Sequence, residues 1–150
     1  MKRFLKLTAI LTVLSVLFSC TEKEAIVEEF PEPSYVTLHG LWKTVEMNGI
    51  PFPEDIYVYR DFNRKDHSFT EYSNYNTMYP QVCTGYFTIA EDPDLGHVIS
   101  GSYDLKGDWQ GEYVISGMTG DAMLWTRIGD GQTQKLVRCD ALPEDISGKE

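Results

Sequence analysis

Leu38-His39-Gly40-Leu41-Trp42-Lys43-Thr44-Val45-Glu46-Met47-Asn48-Gly49 opens the ordered part of the chain. It combines a Gly-x-Trp start, a run with strand character and an Asn-Gly pair. Asn-Gly is the strongest short-range hairpin signal, because both residues accept the positive φ that a type I′ turn requires. Downstream the chain is a procession of short aromatic and β-branched runs separated by turn residues. Eight candidate strands result, at 41–48, 56–62, 68–75, 81–89, 98–105, 109–116, 122–128 and 133–139. The breaks carry turn chemistry: Pro51 and Pro53, Pro80, Asp92-Pro93-Asp94 with Gly96, Lys106-Gly107, and Gly129-Asp130-Gly131. No stretch holds a 3.6-residue apolar period for three turns, and only 141–146 suits a short helical turn.

Eight short strands joined mostly by tight turns are the sequence form of an up-and-down antiparallel meander. Closing the meander removes both sheet edges, and eight strands enclose either a packed core or one small ligand. The expected fold is therefore all-β, an eight-stranded up-and-down antiparallel barrel over residues 38–146, with 147–150 as a C-terminal tail. An open two-sheet sandwich is the rival. It needs longer crossovers, for which the sequence has few candidates.

The N-terminus reads as an address. Lys2, Arg3 and Lys6 precede an apolar run at 7–18, too short to span a bilayer as a mature helix. The run ends in Leu17-Phe18-Ser19-Cys20, which resembles the lipobox cut by lipoprotein signal peptidase, with Phe18 where a small residue is usual. This implies a signal peptide at 1–19 and an acylated Cys20 at the mature N-terminus. Multiple acyl chains anchor a protein stably where one does not. Residues 20–37, acidic and carrying Pro31 and Pro33, are the expected flexible tether. The implied location is the cell envelope, lipid-anchored to the outer membrane and facing either the periplasm or the surface. Losing three basic and no acidic residues takes the net charge from −10 to −13. So acidic a body argues against nucleic acid and against charge-driven contact with anionic lipid. The membrane partner is then reached through the N-terminal lipid.

Gly40-Leu41-Trp42 at the head of the first of eight strands resembles the lipocalin family. More narrowly, the chain is similar to the small lipocalin-like lipoproteins of Bacteroidetes-type bacteria. The resemblance implies that Trp42 points inward at the closed end and that an arginine late in the last strand, here Arg138, lies across it. Both roles are structural. Cys83 and Cys139 remain after Cys20 is acylated, and outside the inner membrane such a pair is more often bridged than free. Several lipocalins join their fourth strand to the C-terminal tail, which supports a Cys83–Cys139 disulfide. Two buried free thiols are the alternative.

Period-two alternation gives an expected inner face. It places Trp42, Thr44 and Glu46 together, then Ile56, Val58, Arg60 and Phe62, then Ile99, Tyr103 and Leu105. Trp109, Tyr113 and Ile115 follow, and Leu136 with Arg138; between Leu124 and Trp125 the phase stays open. Glu46, Arg60, Tyr103, Trp109 and Tyr113 are thus the candidate ligand-binding residues, with Glu46 expected to pair with Arg60 or Arg138 because a lone buried carboxylate is costly.

Other chemistry is sparse. His39, His67 and His97 share no ligand spacing, and Glu91, Asp92 and Asp94 fit no calcium loop. There is no Gly-x-Ser-x-Gly, Cys-His pairing or phosphate loop, so no catalytic, metal or cofactor residue is assigned. Tyr57, Tyr59, Tyr72, Tyr75 and Tyr79, with Phe62 and Phe69, crowd the second and third strands, as a stacking platform or as ordinary strand packing. The expected function is non-enzymatic binding of a small, partly apolar or amphipathic ligand in the barrel. The alternative is a protein-interaction or inhibitor module with a filled barrel and an aromatic surface.

Overall fold

The structure, a computed structural model, describes residues 30–148. Among the described residues there are ten strands: β1 (Gly40–Met47), β2 (Ile50–Pro51), β3 (Val58–Phe62), β4 (Ser68–Ser73), β5 (Gln81–Asp92), β6 (Gly96–Tyr103), β7 (Gly107–Asp108), β8 (Tyr113–Ser116), β9 (Ala122–Arg127) and β10 (Thr133–Cys139). Single helical turns flank them, α1 (Tyr35–Leu38) and α2 (Glu144–Ser147). Eight strands follow one another antiparallel in the order β1, β3, β4, β5, β6, β8, β9, β10. β10 then pairs back onto β1, which closes the barrel and excludes the sandwich. Two-residue β2 and β7 are appended to β1 and β6.

The Asn48-Gly49 turn has φ of 52° and 77°, the two positive angles of a type I′ hairpin. Asn48 also ties strand ends together: its amide donates to Thr133 O and its side chain accepts from Thr133 N.

Trp42, Phe62, Phe69, Phe87, Ile99 and Leu136 pack the lower half of the barrel, each 1% exposed or less. Leu38, fully buried, plugs the base from α1. Ser34 and Thr37 form a reciprocal capping box that starts this turn, within the stretch expected as tether. One turn is too short to leave an apolar period, so the sequence could not announce it. The expected signal peptide and Cys20 lie outside the described residues.

Arg138 locks this end. Its guanidinium lies 4.2 Å from the Trp42 ring centre and donates to three backbone carbonyls, Gly120, His39 and Thr37, each at 2.7 Å. Trp42 Nε1 in turn donates to Leu38 O at 2.8 Å. Gly40 is the residue that permits this: its φ is +109°, and a Cβ there would lie 3.1 Å from Arg138 Nη1.

Three expectations are corrected. Register shifts between Thr44 and Glu46, so Thr44 faces Leu136 while Glu46 faces Lys135. This bulge at Val45 reverses the phase. Glu46 is carried to the outer face and Met47 takes the inner position opposite buried Gln134. Leu105, expected inside, sits in the β6–β7 turn and is 98% exposed. Trp109, expected on a strand, precedes β8 in a connection. On β9 the inner residues are Met123 and Trp125.

Arg138→Leu removes the stacking and three charge-assisted hydrogen bonds, and should lower unfolding free energy by about 3 kcal/mol in urea denaturation. Arg138→Lys should recover under half of that, because one ammonium cannot stack flat and reach three carbonyls. An unchanged midpoint in Arg138→Leu would remove this contact from its place in the fold.

Candidate functional site

Above the packed base the barrel opens into a cup of about 590 Å³. Its floor is a polar layer at mid-height. β3 and β4 pair with Arg60 directly opposite Glu71, and on one face such pairs touch. Arg60 Nε donates to Glu71 Oε2 at 2.8 Å, with both side chains about seven-eighths buried. Arg60 Nη1 reaches Thr44 Oγ1 and Gln134 Oε1, each at 3.3 Å. The guanidinium also stands 5.4 Å from the Trp125 ring centre.

Tyr103 completes the layer, its hydroxyl donating to the Glu71 carboxylate at 3.2 Å from both oxygens. Burial, reinforced by the Glu71 charge, pushes the Tyr103 phenol well above the ordinary tyrosine range. Tyr103 therefore remains a donor throughout the physiological range. A buried ion pair is costly unless its remaining hydrogen-bonding groups are met. Here Thr44, Gln134 and Tyr103 meet most of them.

One wall is aromatic. Trp109 and Trp125 ring centres are 5.7 Å apart, and Tyr113 is 5.5 Å from Trp125. Trp109 enters from its connection because β6 carries Gly101, where a Cβ would fall 2.4 Å from the indole. Its backbone amide donates to Gly101 O at 2.8 Å. The indole Nε1 is buried and has no partner among the described residues. At the rim, Arg127 is clamped by Asp130, whose carboxyl is lowered to about 2 chiefly by that hydrogen bond. Lys106 Nζ donates to Gln81 Oε1.

Of the residues singled out from sequence, Arg60, Tyr103, Trp109 and Tyr113 line one cup. Glu46 does not; the carboxylate that meets Arg60 is Glu71. Counting the hairpin across the turn at 63–67, where Phe62 pairs with Phe69, would have found it. Met47 was also missed, because the bulge at Val45 leaves no mark in residue type. Gln134 follows from Leu136 by unbroken alternation along β10, and the open phase of β9 resolves to Trp125.

Cys83 and Cys139 are unbridged. Cys83 lines the cup opposite Glu71, whereas Cys139 pairs with Leu41 at the base. The two thiols thus lie at different heights on different strands, which corrects the expected disulfide. Burial also pushes the Cys139 thiol up. The tyrosine-rich stretch does not form one platform. Phe62 and Phe69 are core, Tyr75 stacks on Phe52 at the rim with ring centres 5.2 Å apart, and Tyr59 lies beneath Lys43 Nζ at 5.4 Å. His39 Nδ1 donates to Phe62 O at 2.8 Å, and His67 stacks on Tyr35 with ring centres 3.6 Å apart. Among the described residues no group of three His, Cys, Asp or Glu side chains could hold a metal ion.

Among solved structures the chain is similar to a lipocalin-like protein from Bacteroides uniformis, at 13% identity. That match covers 69% of this chain and 99% of the other, with a TM-score of 0.51. No family model and no curated protein matches. The likeness is one of fold: the chain forms a lipocalin-like barrel.

Thiol titration of protein beginning after Cys20, unfolded without reductant, should find two reactive groups. In the native state Cys139 should alkylate slowly, since its raised pKa leaves little thiolate. Absence of reactive thiols would reinstate the bridge.

Proposed function

We propose that this lipocalin-fold protein is a non-enzymatic binding protein of the cell envelope, held to the outer membrane by lipid on Cys20, that takes a small amphipathic molecule into its cup. The observation that carries the reading is the half-filled barrel: a packed base below, and about 590 Å³ of open, walled space above. That volume falls within the roughly 300–1,000 Å³ of small-molecule sites, which pair apolar walls with a few orienting polar groups. Trp109, backed by buried Tyr113 and Trp125, supplies the wall, and the Arg60–Glu71–Tyr103 layer supplies the polar groups. The interaction-module reading needs a filled barrel, and only the base is filled. The lipocalin-like fold fits a binding role.

Two measurements test this. Cys20→Ala should leave the precursor unprocessed and unlipidated; mass spectrometry of the unaltered protein showing cleavage elsewhere, with a free thiol at Cys20, would remove the anchor. Protein beginning after Cys20 should be screened against fatty acids, haem breakdown products, sterols and oligosaccharides by melting temperature and tryptophan fluorescence. A ligand at a hundred times its Kd should stabilise the fold by about 2.7 kcal/mol. Tyr113→Leu should abolish that response while folding normally. Silence across the whole screen would defeat the cup as a binding site.

A further inference from the structure

We infer that the cup selects aromatic carboxylates, with the acid group seated on the Arg60 face of the floor and the ring lying against Trp109. This rests on the reading of the cup as the binding site and names its ligand class.

The argument is an inventory of hydrogen-bonding atoms. Arg60 spends Nε on Glu71 and shares Nη1 between two oxygens at a stretched 3.3 Å. Its Nη2 has no partner among the described residues. Glu71, the one carboxylate in the layer, is already engaged by Arg60 and the Tyr103 hydroxyl. Gln134 has committed its oxygen to Arg60, and its amide nitrogen has no partner among the described residues. The floor's unpartnered nitrogens, Arg60 Nη2 and the Gln134 amide, are therefore N–H donors. Their complement is an acceptor-only group, and an anionic acceptor makes the stronger bonds to a guanidinium.

Charge permits such a ligand to enter. The protein carries −10 overall, yet the cup lining holds Arg60, Lys106 and Arg127 against Glu71 and Asp108, with Asp130 at the rim taking Arg127. The acidic excess lies elsewhere. The geometry next to Arg60 then selects the body of the ligand. Trp125, buried, stands 5.4 Å from the guanidinium and backs the partly exposed Trp109 with ring centres 5.7 Å apart, so a flat ring bearing a carboxylate reaches Arg60 while lying against Trp109.

The test uses a matched pair, 2-naphthoate and its uncharged amide, titrated calorimetrically into protein beginning after Cys20. Naphthoate should bind about tenfold more tightly than the amide, the step expected when a charge-assisted hydrogen bond replaces a neutral one. Glu71→Gln removes the internal anion that competes for Arg60. It should tighten naphthoate several-fold, about the worth of one like-charge contact, and leave the amide unchanged. Arg60→Gln with Glu71→Gln, which strands no charge, should bind acid and amide alike; normal melting of this variant verifies its fold. Should it fail to fold, Glu71→Gln alone still decides. Equal binding of acid and amide by the unaltered protein would overturn the carboxylate assignment and leave the cup standing as a site. An acid preference that survives removal of Arg60 would overturn it also. Binding of neither probe overturns it too, and the cup reading falls only if the broader screen is silent as well.

Discussion

The arginine–tryptophan contact at the base is the constraint on which the barrel depends. Arg138 comes from the last strand and Trp42 from the first, so their stacking fastens the seam where the chain closes on itself. The same guanidinium collects carbonyls from the segment entering β1 and from the β8–β9 connection. Three carbonyls that lie outside the strands are gathered by one guanidinium, and hydrogen bonds to a charged donor are stronger than neutral ones. One side chain thus ties two chain segments to the last strand and covers the indole. Gly40 follows from this arrangement, since only a residue without a Cβ both adopts its φ and leaves room for the guanidinium.

Above that base the molecule changes character within one layer of side chains. Phe62, Phe69 and Phe87 pack with edge and tilted geometries between 4.9 and 6.3 Å. Two residues along β3 and β4 from the Phe62–Phe69 pair, the next inward pair is Arg60 and Glu71. Apolar side chains there would have carried the packed core towards the mouth. An ion pair stops it, because its charged groups hold on to partners and water rather than to carbon. The floor of the cup is therefore a consequence of two polar positions on neighbouring strands.

How much of this was legible follows from what each feature leaves in residue type. Strand breaks were legible because turns demand particular residues: Asn48-Gly49 and Gly96 have positive φ where the chain reverses. Eight strands joined by short turns then left few topologies, and the β1–β10 pairing chose between them. Strand phase was legible only where nothing interrupts alternation. At Val45 a bulge moves Glu46 out and Met47 in, and no side chain signals it. Alternation along an expected strand places Trp109 in the interior, yet it gets there from a connection, admitted by a glycine on another strand. Cys83 and Cys139 show the limit of reasoning by compartment. Redox environment says that two thiols could be joined, but strand position separates them.

Closure of β10 onto β1 has one more consequence. Leu41 and Cys139 are paired neighbours, so the described chain enters and leaves the barrel at the same end, the base. The connections around the mouth are all internal loops, none interrupted by a terminus. Joining the two ends by a short linker and opening the chain in any mouth loop would give a circular permutant with the same seam and the same base. By the same logic the mouth loops are free to differ in length and sequence between barrels of this kind, because closure is secured at the other end. A fold shared at 13% identity is what such a division of labour allows.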